Sequence, residues 1–156
     1  LPNYFYNNNY QIVQTKDHVM FMTEMVHDVC VVRLNDKTHP PGHVRLWFGD
    51  SIGRWEGDTL VVETTNFHPL QEYRGASDNL KVIERFTRNG PDTILYRFTI
   101  DDPTTFTAPW TGELVFNRFN EMIHEYACHE GNYALTNILQ GERAREKRHA
   151  TQKPPR

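Results

Sequence analysis

The sequence predicts an all-β, mainly antiparallel domain, a meander curled into a barrel or folded as a sandwich, with one C-terminal helix. Three observations predict it. In Thr93–Ile100, the residues Ile94, Tyr96, Phe98 and Ile100 fall on one face and Arg97 and Thr99 on the other, the period of two of a half-buried strand. Short runs rich in β-branched and aromatic residues recur along the chain, about nine in all, with turn residues between them. Helix formers gather in Ala134–Arg148, where Leu135, Ile138, Leu139 and Ala144 recur at helical spacing and Gly141 weakens the middle.

The elements follow in order. Residues 1–9, rich in Asn and Tyr, form an irregular lead-in. Tyr10–Thr15 and His18–Met25 pair around Lys16-Asp17, a two-residue hairpin link. Asp28–Leu34 is a β-branched run ended by Asn35-Asp36-Lys37, and Thr38–Gly42, with His39, Pro40 and Pro41, must be a loop because proline cannot donate to a sheet ladder. Gly53–Thr65 is a hairpin turning at Glu56-Gly57-Asp58, where Gly57 can take positive φ. His68–Asp78 is a long polar connection. Leu80–Arg88 and Thr93–Ile100 make a second hairpin around Asn89–Asp92, and Asp101-Asp102-Pro103 ends it. Trp110–Arg118 and Met122–Cys128 read as a third hairpin around Phe119-Asn120. The organisation is then one β domain over 10–133, a helix over 134–150 packed on it and a tail over 151–156.

Size and charge bound the function. A chain of 156 residues buries enough surface to need neither metal nor disulfide for a core. A net charge of −3 argues against a nucleic-acid partner, which requires a concentrated positive surface. The one basic cluster, Arg143, Arg145, Lys147, Arg148 and Lys153, alternates with acids and reads as a solvated helix face. No run approaches the roughly 20 apolar residues of a membrane span. A first residue of Leu1 reads as a mature, processed or trimmed chain. Cys30 and Cys128 form either one disulfide or two buried thiols.

Several runs carry a resemblance: Gly53-Arg-Trp-Glu-Gly-Asp-Thr-Leu-Val-Val-Glu-Thr-Thr-Asn-Phe67, Tyr6–Ile12, Glu24–Asp28, Glu84–Arg88, Asp101–Pro103, Pro109-Trp110 and Glu125–Tyr133. Over nearly its whole length the chain resembles a group of uncharacterised exported bacterial proteins. The resemblance implies a periplasmic or extracellular location and longer members that continue upstream of Leu1, and it brings no activity with it. In architecture alone the meander and single helix are similar to lipocalin-like barrels, and fold does not imply function.

The densest chemistry lies in Glu125–Tyr133. His129 beside Glu130 is a candidate general base, since histidine titrates near neutrality, and Tyr126 or Tyr133 a donor to a developing oxyanion. Tyr126 and Cys128 also have structural readings, as a core ring and half of a disulfide. His27 and Asp28 form a second candidate group. With His129 and Glu130 they would supply enough ligands for a divalent metal, although the spacing matches no metal motif. No cofactor is otherwise expected.

Glu84 alternates with Val82 and Phe86 and so points into the core, where a carboxyl must find a partner or shift its pKa. It is either a structural ion pair or a catalytic acid/base. The aromatics Trp47, Trp55, Trp110, Phe67, Phe86 and Phe98 read first as core and second as the lining of a ligand pocket. Trp55, Trp110, Tyr133, Arg85 and Arg97 are the candidate ligand contacts, with both arginines expected on the solvent side of a barrel. Gly49-Asp-Ser51-Ile-Gly53 has the letters of a nucleophile elbow, but a hairpin follows where a helix is required.

Three functions compete. The first is an exported small-molecule enzyme using general acid/base chemistry (lyase, isomerase or hydrolase). The second is a non-catalytic binder of an apolar or aromatic ligand. The third is a structural or assembly protein, with homo-oligomers. An enzyme should gather three of the polar candidates at one cavity, a binder should show a mainly apolar pocket, and an assembly protein should show a filled core.

Overall fold

The computed structural model describes residues 9–25, 28–71, 73–124, 131 and 133–151. The chain divides into two compact units, 1–125 and 126–156.

Among the described residues unit 1 is a single curled sheet of eight strands in the order β1 to β8. They are β1 (Tyr10–Gln14), β2 (His18–Thr23), β3 (Val29–Arg33), β4 (Asp50–Glu56), β5 (Thr59–Thr65), β6 (Lys81–Arg88), β7 (Thr93–Asp101) and β8 (Trp110–Asn117). Every neighbouring pair is antiparallel except β3–β4, which is parallel. This is the curled, barrel-like form of the expected fold, with one sheet rather than two and, among the described residues, no ladder between β1 and β8. The rings of Tyr10 in β1 and Phe116 in β8 stack at 5.4 Å, so the sheet curls far enough for its first and last strands to meet through side chains.

Alternation assigns the faces. The register lines up Val19, Val32, Ser51, Thr64, Val82 and Ile100 across six strands, and Leu60, Phe86, Tyr96 and Leu114 across four. These fall on the concave layer, which holds nearly all of the core. One buried cluster gathers Phe67, Ala76, Leu80, Val82, Tyr96, Phe98 and Ile100; the other gathers Val19, Val32, Leu60 and Val62. Phe86 packs against both and joins them. Each fully buried aliphatic or aromatic side chain contributes about 1.5–3 kcal/mol. Gly112 in β8 is the close-approach point, since a Cβ there would run into the Phe98 ring.

The Glu56–Thr59 hairpin turns as expected, with Gly57 at φ 59°. The break at Asp101-Asp102-Pro103 proves to be a built corner. Asp102, fully buried, accepts from the Ser77 backbone N–H (2.5 Å), the Thr104 N–H (3.0 Å) and the hydroxyls of Thr104 (2.6 Å) and Thr105 (3.0 Å). Burial alone would raise its pKa, but these hydrogen bonds outweigh burial and hold the carboxyl well below the usual range.

Three expectations need correction. The meander is interrupted, because the Asp28–Leu34 strand leads through residues 34–49 to a parallel neighbour, which no tight turn can supply. The ninth strand is not present where it can be read. Met122–His124 carry no strand, and 125–128 lie outside the described residues. Trp47 and Trp55 are not core, being 50% and 48% exposed.

Unit 2 contains α1 (Ala134–Thr151), whose Leu135, Ile138 and Leu139 are exposed. Its basic residues are solvated as expected, with Arg145 pairing Glu142 one turn back at 3.0 Å. Among the described residues no helix is long and apolar enough to cross a membrane.

Candidate functional site

The site develops where the sheet is weakest. β3 and β4 pair through just Val32–Ser51 and Arg33–Ile52. Earlier in β3, Val29 to Val31 have no ladder partner on the β4 side, because the chain opposite them is the loop 46–49. A cavity of about 360 Å³ occupies this gap, within the roughly 300–1,000 Å³ typical of small-molecule pockets. Cys30 and Ser51 reach it from the concave layer. His18, Val29, Val31, Arg33 and Asp50 reach it from the convex layer, and Leu46, Trp47 and Phe48 form the rim.

The concave side of this gap is polar but uncharged. The Cys30 Sγ lies 3.5 Å from Ser51 Oγ, and Ser51 Oγ lies 2.8 Å from Thr64 Oγ1. Cys30 is a free thiol. Burial pushes its pKa up, and the nearby Glu84 charge adds to that against the Ser51 hydrogen bond. A thiol held protonated is no nucleophile at neutral pH. Ser51 lies within strand β4, so the letters Gly-x-Ser-x-Gly form no elbow.

Deeper on the concave layer is Glu84. It is 8% exposed, and its Oε1 accepts from the Tyr96 hydroxyl at 2.5 Å. Sequence alternation placed this carboxyl inside, and the core supplies a phenol as one of its partners. Burial first, and then the Glu84 charge and hydrogen bond, raise the Tyr96 pKa far above the ordinary phenol range; Tyr10 is raised by burial and the Glu84 charge. Tyr96 therefore keeps its proton across the physiological range.

On the convex layer the two carboxylates Asp50 and Glu63 flank His39. Asp50, 3% exposed, receives a two-point fork from Arg33, at 2.5 Å from Nη1 to Oδ1 and 3.0 Å from Nη2 to Oδ2. The same Oδ2 lies 2.7 Å from His39 Nδ1. Burial opposes ionisation of Asp50, but the bonds from Arg33 and His39 prevail and lower its pKa. Arg33 also pairs with Asp36, and its own pKa is raised, chiefly by the Asp50 bond. Lys81 Nζ holds Glu63 at 2.9 Å.

The residues expected from sequence distribute as follows. Glu84 lies in the core, and Asp28 lies just before β3, its carbonyl accepting from the Thr23 N–H at 2.9 Å. His27, Tyr126, Cys128, His129 and Glu130 lie outside the described residues. Arg85 and Arg97 are on the convex layer as expected, paired with Glu56 at 2.7 Å and Glu113 at 2.8 Å. Trp110 packs edge-on against Phe98 at 5.8 Å and Phe106 at 6.0 Å, with Arg74 above it at 5.7 Å. Trp55 is half exposed at the end of β4, and Tyr133 is exposed just before α1. None of the described ones lines the β3–β4 cavity. Among the described residues no group of three His, Cys, Asp or Glu side chains is placed to hold a metal.

The residues that sequence reasoning missed are Leu46, Phe48, Arg33, Asp50, His39 and Glu63, while Trp47 is named in its second reading as pocket lining. They come from loops and strands far apart in the chain, and no short motif links them. The available signal was Asp50 itself, an acid at the head of strand β4 that the tight register buries.

Comparison with known proteins yields no matching family model, no matching curated protein and no matching solved structure.

Proposed function

We propose that this chain is an exported binding protein that holds a small, largely apolar or aromatic molecule in the gap between β3 and β4. The supporting observation is the gap itself, where two strands pair over two residues and leave a cavity rimmed by Leu46, Trp47 and Phe48. Large exposed apolar residues on one rim indicate a surface that is covered part of the time. The inner wall offers a thiol and a hydroxyl, and Arg33 and Asp50 neutralise one another. That wall suits a ligand with one uncharged polar end better than an anion.

The test is titration with a neutral naphthylamine fluorophore, read through quenching of Trp47. Val31→Trp adds bulk from a position already 44% exposed, so it fills the gap without disturbing the core. Saturable binding that weakens at least about tenfold in this variant, some 1.4 kcal/mol, supports the reading. Equal binding by both proteins, or none by either, rejects it.

The enzyme reading keeps one specific observation, the buried Glu84 with Tyr96 fixed on its carboxyl. In that case Glu84 would take a proton from a bound molecule while Tyr96 orients it. Glu84→Gln would then abolish turnover of a co-purifying compound and leave its binding intact.

A further inference from the structure

We propose that His39 is a proton-operated latch that fastens the proline loop to β4 and β5 and thereby sets the grip of the β3–β4 gap on its ligand. The second half of this statement rests on the binding reading above; the first does not.

The geometry is specific. The His39 ring is 17% exposed, its Nδ1 lies 2.7 Å from Asp50 Oδ2, and its Nε2 lies 3.6 Å from Glu63 Oε1. Nε2 is buried and has no hydrogen-bond partner among the described residues. A neutral imidazole carries one N–H. If that proton is on Nδ1 it serves Asp50, and a lone pair on Nε2 then faces the Glu63 carboxylate. If it is on Nε2, the Nδ1 lone pair meets Asp50 at hydrogen-bond distance. The imidazolium alone has a donor for each carboxylate, and a shift of a few tenths of an ångström brings the second bond within range.

The charged groups around the ring are Arg33 on β3, Asp36 after it, Asp50 on β4, Glu63 on β5 and Lys81 on β6. Against burial, Arg33 lowers the Asp50 pKa, and Lys81 pairs with Glu63, so each carboxylate already has a cation of its own and the second imidazole proton is the variable element. Its partner Asp50 also carries the Arg33 fork, which crosses from β3 to β4 at the closed end of the gap. The loop has another tether, from Asn66 Nδ2 to the Pro40 carbonyl at 3.0 Å. That bond does not depend on pH, so loss of the latch loosens residues 38–44 without unfolding the sheet.

The direction follows. A protonated His39 holds both carboxylates. Histidines as a class change charge between about pH 5 and 8, and when the ring gives up its second proton one anchor is lost and an unfavourable lone-pair contact appears.

The experiment is amide hydrogen exchange of the whole chain at pH 5.5 and 7.5, corrected for intrinsic rates, in the native protein and in His39→Asn. The variant controls for the other histidines. Expected is an additional loss of protection of about fivefold in residues 38–44 of the native protein at the higher pH, the low end of a typical coupling. The variant should show no such change. The same pH dependence in both proteins, or in neither, overturns the latch. Fluorophore affinity is measured alongside and should fall by a similar factor in the native protein only. If the amides respond while the fluorophore never binds, the latch stands and the binding reading fails.

Discussion

The β6–β7 hairpin and the β3–β4 junction belong to the same sheet and are built in opposite ways. β6 and β7 pair without a break from Lys81–Asp101 to Arg88–Ile94, and their concave side chains stack ring upon ring, Phe86 on Tyr96 at 4.8 Å and Tyr96 on Phe98 at 5.6 Å. β3 and β4 share two pairs and are joined mainly by side chains, the Arg33–Asp50 fork on one layer and Cys30–Ser51 on the other. The first region holds the fold together; the second leaves room for a ligand. A curled sheet that is not fastened along every strand can open at its weakest ladder without losing its core.

Substitutions test that division. The largest effect should come from the hairpin. Phe98→Ala removes a buried ring between Tyr96 and Trp110 and is expected to cost about 3–5 kcal/mol in chemical denaturation. Fluorophore affinity of the fraction that remains folded should be unchanged. If affinity fell in step with stability, the two regions would not be separable.

The corner after β7 comes next. Asp102→Ala deletes four hydrogen bonds to a buried carboxylate and should cost about 2–3 kcal/mol at neutral pH. The folded-state pKa is depressed, so the stabilisation is present in full above the unfolded value of about 4 and declines as pH falls through the folded one. The stability gap between the native protein and Asp102→Ala should therefore narrow only in acid. A gap that narrowed on the alkaline side would refute the assignment.

The smallest effect belongs to the convex pairs. Arg97 and Glu113 are both about half exposed, so Arg97→Ala should change stability by under about 1 kcal/mol, and less in high salt. A larger loss would mean that this face is covered by something the single chain does not show.

The same contrast explains what could be read from the sequence. The strict alternation of Leu80–Ile100 encodes its own register, so the hairpin, its core face and the inward turn of Glu84 were all legible. The cavity was not. It depends on a parallel pairing reached through residues 34–49, a segment whose prolines say loop without saying where the loop goes. His39, Asp50 and Glu63 are close in space because β4 and β5 run side by side, a relation that spacing along the chain does not carry. Trp47 and Trp55 looked like core because of their composition; they are exposed because one is on the gap's rim and the other at a strand end.

Chemical-shift mapping of the backbone amides, with and without the neutral fluorophore, decides whether the gap is where ligand goes. The expected result is a saturable set of changes confined to Val29–Val31, Leu46–Ser51 and their immediate neighbours, with β6 and β7 silent. Changes centred on Phe86, Tyr96 and Phe98, or spread evenly over the sheet, would contradict it.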